Sequence, residues 1–254
     1  MHSLTQFFLG ALFSVCLFFL FLVTSAEAVL YWTPGYFERE YDRYDVLDAV
    51  SMEMDDLLTV TDHMMAYLRG KQENLQIQTT VNGETREFFN ERELAHMEDV
   101  KQLFLLALTV RKWCILLAVL SAILLFFFTL DPVKILARSL LWGTVLFFSL
   151  TGLLIFFISR DFSSSFTKFH ELFFTNDLWL LDPETDLLIN IVPEAFFMDT
   201  AARIALIFCF LLLFTLILSF LFHVKHAGPE SELEPEQKTK SHSKKNSNHS
   251  HPRH

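Results

Sequence analysis

The sequence predicts an all-α polytopic membrane protein, with four transmembrane helices beneath a mainly helical extracellular cap that includes a small β-hairpin. Three observations carry that expectation. Mean hydropathy is positive, and 29 of the 254 residues are phenylalanine, a usage foreign to soluble domains. Four apolar runs, roughly 7–31, 113–130, 139–159 and 204–223, cross or nearly cross a hydrocarbon core of about 30 Å at about 1.5 Å rise per residue. Runs so long and continuous are helices, because lipid offers no partner to an open backbone.

Residues 1–31 hold the first span. Ala26-Glu27-Ala28 resembles a signal-peptidase site. No Lys or Arg precedes the run, however, and it is long for a secretory signal, so it reads as a retained anchor. Segment 32–112 forms the first part of the cap. Tyr31-Trp32 with Tyr36, Tyr41 and Tyr44 reads as an interfacial aromatic belt. A helix from a Ser51 cap to Gly70 carries Leu57, Leu58, Thr61, Met64, Met65 and Leu68 at helical spacing, with Gly70 as its stop. His63 falls opposite that stripe and faces water. Ile77, Thr79 and Val81 alternate ahead of Asn82-Gly83, a strong hairpin signal. Asn90 with Glu93 three positions on forms a capping box for a second cap helix. That helix either runs directly into the second span or breaks near Arg111-Lys112. Charge is costly deep in lipid, which puts this pair at the outer interface with residues 103–110 under the cap.

The spans at 113–130 and 139–159 flank a short loop, 131–138, that contains Lys134 and Arg138. Segment 160–203 is the second part of the cap. It opens with Phe162, Phe166, Phe169 and Phe173, the spacing of an amphipathic helix lying at the interface, and Asp182-Pro183 ends the stretch that follows. The last span is 204–223. The tail, 224–254, is rich in Ser, His and Lys and reads as disordered; metal binding by its histidines is the weaker reading. An even number of spans puts both termini beside the short basic loop, and the positive-inside rule makes that side the cytoplasm. Residues 32–103 then lie outside with 16 Asp/Glu against 7 Lys/Arg, holding most of the net charge of −10. That placement excludes nucleic-acid and phosphate-binding roles. Cys16, Cys114 and Cys209 all lie in apolar runs as small filler, so no disulfide framework holds the cap.

Two polar, histidine-bearing stretches abut the spans on the outer face. His96 lies one helical turn from Arg92, Glu93, Asp99 and Val100. Asp99 or Glu93 is placed to orient the imidazole or raise its pKa, and Arg92 to stabilise an oxyanion. The plainer reading is a charge network on a solvated helix. His170 falls on the boundary of its Phe stripe, near headgroup depth, where a structural histidine would reach for water. Three chemistries use two histidines. A metal site wants a third ligand, and no HExxH is present. Nucleophilic catalysis wants a Ser elbow or an outer Cys, and neither is present. General acid/base catalysis needs nothing more and is favoured.

At these residues the chain resembles the lipoprotein intramolecular transacylase family (Lit) of Gram-positive bacteria. The resemblance covers nearly all of residues 1–223. It rests on Phe89-Asn90-Glu91-Arg92-Glu93-Leu94, His96-Met97 and Asp99-Val100-Lys101, then Phe169-His170-Glu171-Leu172-Phe173-Phe174 and Asn176-Asp177-Leu178-Trp179. It implies four spans under an extracellular cap in a bacterial plasma membrane, with His96 and His170 as catalytic residues at the cap–membrane interface. The implied substrate is a lipoprotein whose N-terminal Cys carries a diacylglyceryl group. Its sn-2 acyl chain would move to the α-amino group of that Cys, giving the lyso-form, with no acyl-CoA, nucleotide, metal or other cofactor required. Arg92, Asp99, Asn176, Asp177 and Trp179 stand as secondary candidates, set against plain capping and surface pairing. Two further readings compete: a metal-dependent membrane lipid hydrolase using His96, His170 and Asp99 or Glu93, and a non-enzymatic membrane sensor or lipoprotein-binding module.

Overall fold

The computed structural model describes residues 3–226. In chain order its elements are α1 (Ser3–Trp32), α2 (Tyr36–Arg43), α3 (Val46–Val50), α4 (Met54–Leu68), β1 (Gln78–Val81), β2 (Glu84–Glu87), α5 (Glu91–Phe128), α6 (Pro132–Arg160), α7 (Phe162–Phe173), α8 (Leu187–Ile191) and α9 (Glu194–His226). Among the described residues, four helices (α1, α5, α6 and α9) are long and apolar enough to cross a membrane. The tail expected to be disordered lies, from residue 227 on, outside the described residues.

α1 is the hub of the bundle, packing against α5, α6 and α9, while α6 also packs on α9. Small residues set its closest approach. A Cβ on Gly10 would stand 2.1 Å from Ser139 Oγ, and one on Gly143 would stand 2.8 Å from Ser14 Cβ. Gly and Ser four apart on both helices let the backbones meet where lipid supplies no hydrophobic drive for association. Large apolar side chains such as Trp113, Trp142, Leu206 and Phe210 point outward to lipid.

α5 does not break at Arg111-Lys112; it continues unbroken from the cap into the second span. Arg111 is tolerated there because it pairs with Glu27 of α1, which also pairs with Arg69 just past α4. Glu27, met in the sequence only as part of a cleavage-like tripeptide, is 2% exposed and joins two spans to the cap. Glu40 of α2 does similar work, buried against Arg203 of α9 at 2.8 Å.

The cap core gathers Leu57, Val60, Met64 and Phe88 around two tyrosines that the sequence assigned to a membrane belt. Tyr36 and Tyr41 are buried and share hydroxyl hydrogen bonds with Thr200 (2.6 Å) and Thr61 (2.7 Å). The belt reading fails for these two because α2 folds back over the bundle and finds partners for the phenols. Ser51 does not cap α4 either. It closes α3 at φ 52°, and Glu53 occupies the N-cap of α4. At the other end Gly70, at φ 70°, donates to Tyr67 O while Lys71 donates to Ala66 O, a Schellman stop. His63 is half-exposed, with Nε2 3.2 Å from Asn74 O. The hairpin turns at Asn82-Gly83, both at positive φ, and Asn82 donates to Ser51 O at 2.9 Å.

Candidate active site

α5 begins with the capping box read from its sequence: Asn90 Oδ1 accepts from the Glu93 amide at 3.0 Å, and Glu93 Oε2 accepts from the Asn90 amide at 2.7 Å. The other Glu93 oxygen accepts from the Leu188 amide of α8 at 2.6 Å. Glu93 is therefore fully committed and does not orient His96. Asn90 Nδ2 donates to Asp186 at 2.7 Å, Arg92 donates to Asp177 O, and Asn176 Nδ2 donates to Asp99 Oδ2 at 2.8 Å. These contacts lay the loop between α7 and α8 along the first three turns of α5.

This clamping brings the two histidines together. The ring centroids of His96 and His170 stand 6.1 Å apart, tilted by 36°, and both side chains are buried. His170 does not reach for water, the plainer reading of its boundary position on the helix. Phe166 one turn before it (4.3 Å), Phe174 one turn after it (5.6 Å) and Trp179, stacked at 5.0 Å and 29°, enclose it. Phe174 also meets His96 edge-on at 5.3 Å. The Phe stripe of α7 is split accordingly: Phe166 packs inward on Phe197, while Phe169 and Phe173 stay exposed.

The loop is organised from within. Asn176 Oδ1 accepts from the Leu178 amide at 3.1 Å, an Asx turn, and the Trp179 indole N–H donates to Asn176 O at 3.0 Å. All five secondary candidates therefore lie beside the pair: Arg92, Asp99, Asn176 and Asp177 in the clamp, and Trp179 on the His170 ring. Phe166, Phe174 and Asp186 were missed. The two phenylalanines sit four residues on either side of His170, a spacing visible in the chain, but Asp186 carries no sequence signal.

The hydrogen bonds define protonation. His170 Nδ1 lies 2.8 Å from the Phe166 carbonyl oxygen, which only accepts, so Nδ1 carries the hydrogen and Nε2 keeps a free lone pair. Burial holds His170 below its ordinary value, against the pull of that bond. His96 lies in the cap part of α5, ahead of Arg111. Burial, reinforced by His170 and Arg92 and opposed by Asp99, pushes it down to about 4. The expected rise caused by Asp99 is overridden because loss of water outweighs one carboxylate already paired with Asn176. Both rings are neutral at neutral pH. His96 Nδ1 is buried without a hydrogen-bond partner among the described residues. No group of three or more His, Cys, Asp or Glu suited to a metal ion occurs among the described residues; Glu93 and Asp99, the expected third ligands, are engaged elsewhere.

Fold and site define a class: a polytopic membrane protein with a histidine pair housed where a cap meets its spans. The family model of the lipoprotein intramolecular transacylase Lit matches residues 11–197, and the chain belongs to that family. It is thus a membrane-embedded acyltransferase whose substrates are lipoproteins. The in meso structure of Lit from Bacillus cereus superposes with a TM-score of 0.70 at 22% identity, covering 89% of this chain and 99% of that one. A histidine-to-alanine variant of the same B. cereus protein matches at 0.69 and 25% identity, covering 87% and 95%. A histidine-to-arginine variant matches at 0.69 and 25%, covering 87% and 93%. None of the curated proteins compared with the chain matches it.

Proposed function

We propose that His96 and His170 transfer the sn-2 acyl chain of a diacylglyceryl-modified lipoprotein to the α-amino group of its own N-terminal Cys, giving the lyso-form. One observation carries this reading: two buried imidazoles, one from each cap segment, stand 6.1 Å apart. Amine and ester are tethered in one molecule, so positioning replaces a second substrate, with effective molarities of about 10⁵–10⁸ M for well-aligned groups.

The α-amine, whose free pKa is about 7.7–8.0, attacks only when neutral. His170 Nε2 takes its proton as the N–C bond forms at the ester carbonyl. An N–H of His96 steadies the tetrahedral oxyanion in this desolvated site. Collapse breaks the C–O bond, and the proton held by His170 passes to the glycerol oxygen, so no net proton is gained or lost. Arg92, Asp99, Asn176, Asp177 and Trp179 act as positioning residues: the first four hold the loop, and Trp179 holds the His170 ring.

In this reading, segments 32–112 and 160–203 are the cap on the extracellular face of a bacterial plasma membrane. The spans are 1–31, 113–130, 139–159 and 204–223, and the loop 131–138, the tail 224–254 and both termini are cytoplasmic. Lys134 and Arg138 in the short loop support that orientation.

The test is tandem mass spectrometry of a defined diacylglyceryl lipoprotein coexpressed with wild type, His96→Ala or His170→Ala. Transfer is an isomerisation, so intact mass stays constant while fragmentation shows one acyl chain moved to the Cys nitrogen, and both variants lose that shift. A mass lower by one acyl chain would indicate a lipase. An unchanged fragmentation pattern would leave a binding module.

A further inference from the structure

Beside the histidine pair a cleft of about 440 Å³ opens between α5 and the end of α7, within the size range of small-molecule sites. On α5 it is lined by Asp99, Gln102, Leu103 and Leu106, which share one helical face. Its polarity is graded. Asp99 and Gln102 are nearer the histidines, and Leu106 lies about 10 Å further along the axis toward the span. The opposite wall is made by Phe173, Phe174, Thr175 and Asn176, with Asn176 at the polar end beside Asp99.

Three features point to one occupant. Phe174 is a wall of the cleft and contacts both imidazoles, so the cleft adjoins the histidine pair across this one ring. At the polar end the charged Asp99 carboxylate is already engaged, accepting from Asn176 at 2.8 Å. The apolar lining is open to the outside: Leu106 is 58% exposed and Phe173 47%, with Leu172, next to Phe173 in the chain, 77% exposed. Exposed apolar side chains of this size suit hydrocarbon rather than water.

We propose that this cleft seats the migrating acyl chain, with its carbonyl at the histidine pair and its tail running past Leu103 and Leu106 into the bilayer, so that these two leucines set chain-length preference. This inference rests on the acyl-transfer reading. Apolar pockets discriminate by about ten-fold or more per methylene they reject, so filling the cleft should penalise long chains and spare short ones.

The experiment uses full-length protein in nanodiscs and two synthetic lipopeptides, one with palmitoyl and one with octanoyl at sn-2 and both with the same sn-1 chain. Leu106→Trp and Leu103→Trp are each expected to lower the palmitoyl-over-octanoyl ratio of kcat/KM about ten-fold or more. Leu106→Ala, which cannot overfill the cleft, is expected to raise KM for palmitoyl and leave KM for octanoyl unchanged. Leu116→Trp, exposed further along the same span, keeps the wild-type ratio, and lengthening only the sn-1 chain changes none of these ratios. Unaltered ratios in active Leu103 and Leu106 variants, or a response to sn-1 length instead, would overturn the proposal. Failure of wild type to isomerise either lipopeptide would sink the acyl-transfer reading itself, a separate result.

Discussion

Glu93 accepts the Leu188 amide with one carboxylate oxygen and the Asn90 amide with the other, so one buried side chain both starts α5 and fastens the second cap segment to it. Truncation leaves two amides without partners. Glu93→Ala should destabilise the protein by about 2–3 kcal/mol, the sum of a lost cap and a lost buried bond. A lowered midpoint in thermal unfolding in detergent, together with a loss of transfer activity, is the expected result. A variant with wild-type stability would show that the tie is not structural.

Trp179 covers the His170 ring without supporting the cap core. Trp179→Ala should therefore lower kcat by about ten-fold or more by releasing the ring from its productive orientation, with little change in thermal stability. Trp179→Phe, which keeps a stacking surface, should recover most of the loss. Equal defects in Ala and Phe variants would show that stacking is not what matters.

Titration follows from burial. A histidine whose folded pKa is depressed favours the neutral form. Its contribution to stability is fully present above the ordinary value of about 6.5 and is lost as pH falls through the folded value. NMR of labelled histidines should show both site residues titrating below that ordinary value, with His96 near 4. Asp99→Asn should lower His96 further, since Asp99 is the group that pulls it up. Midpoints at or above the ordinary value would mean that the pair is solvated.

The α1–α6 contact tolerates no side chain at Gly10 or Gly143. Gly143→Leu should cost about 1–3 kcal/mol or more through overpacking, read as a lower thermal midpoint. At Gly152 an added Cβ would meet nothing within 4 Å, so Gly152→Leu should leave that midpoint unchanged. Equal shifts at both positions would dismiss the close approach.

Glu27 is buried between Arg69 and Arg111. Arg111→Met removes one partner and should destabilise by about 3–5 kcal/mol, because a buried carboxylate is left underpaired. Adding Glu27→Gln should recover part of that loss. A double variant as unstable as the sum of the two singles would show no coupling in the cycle.

Periodicity and local chemistry determined much of this protein from sequence alone. Four runs of apolar residues define four spanning helices, Asn82-Gly83 defines a hairpin, and Asn90 with Glu93 defines where α5 begins. Each depends on residues within a few positions of one another, so the physics is complete within a short window. His96 and His170 were likewise identifiable as polar groups beside spans. Other features depended on residues distant in the chain. The burial of Tyr36 and Tyr41, the pairing of Glu27 with Arg111 and the enclosure of His170 by Trp179 each require knowing which helix folds back on which. The depressed basicity of His96 belongs there too. A neighbouring carboxylate is visible in the sequence and argues for a rise, but removal from water happens only when the loop after α7 closes over α5, and in a low-dielectric interior desolvation prevails.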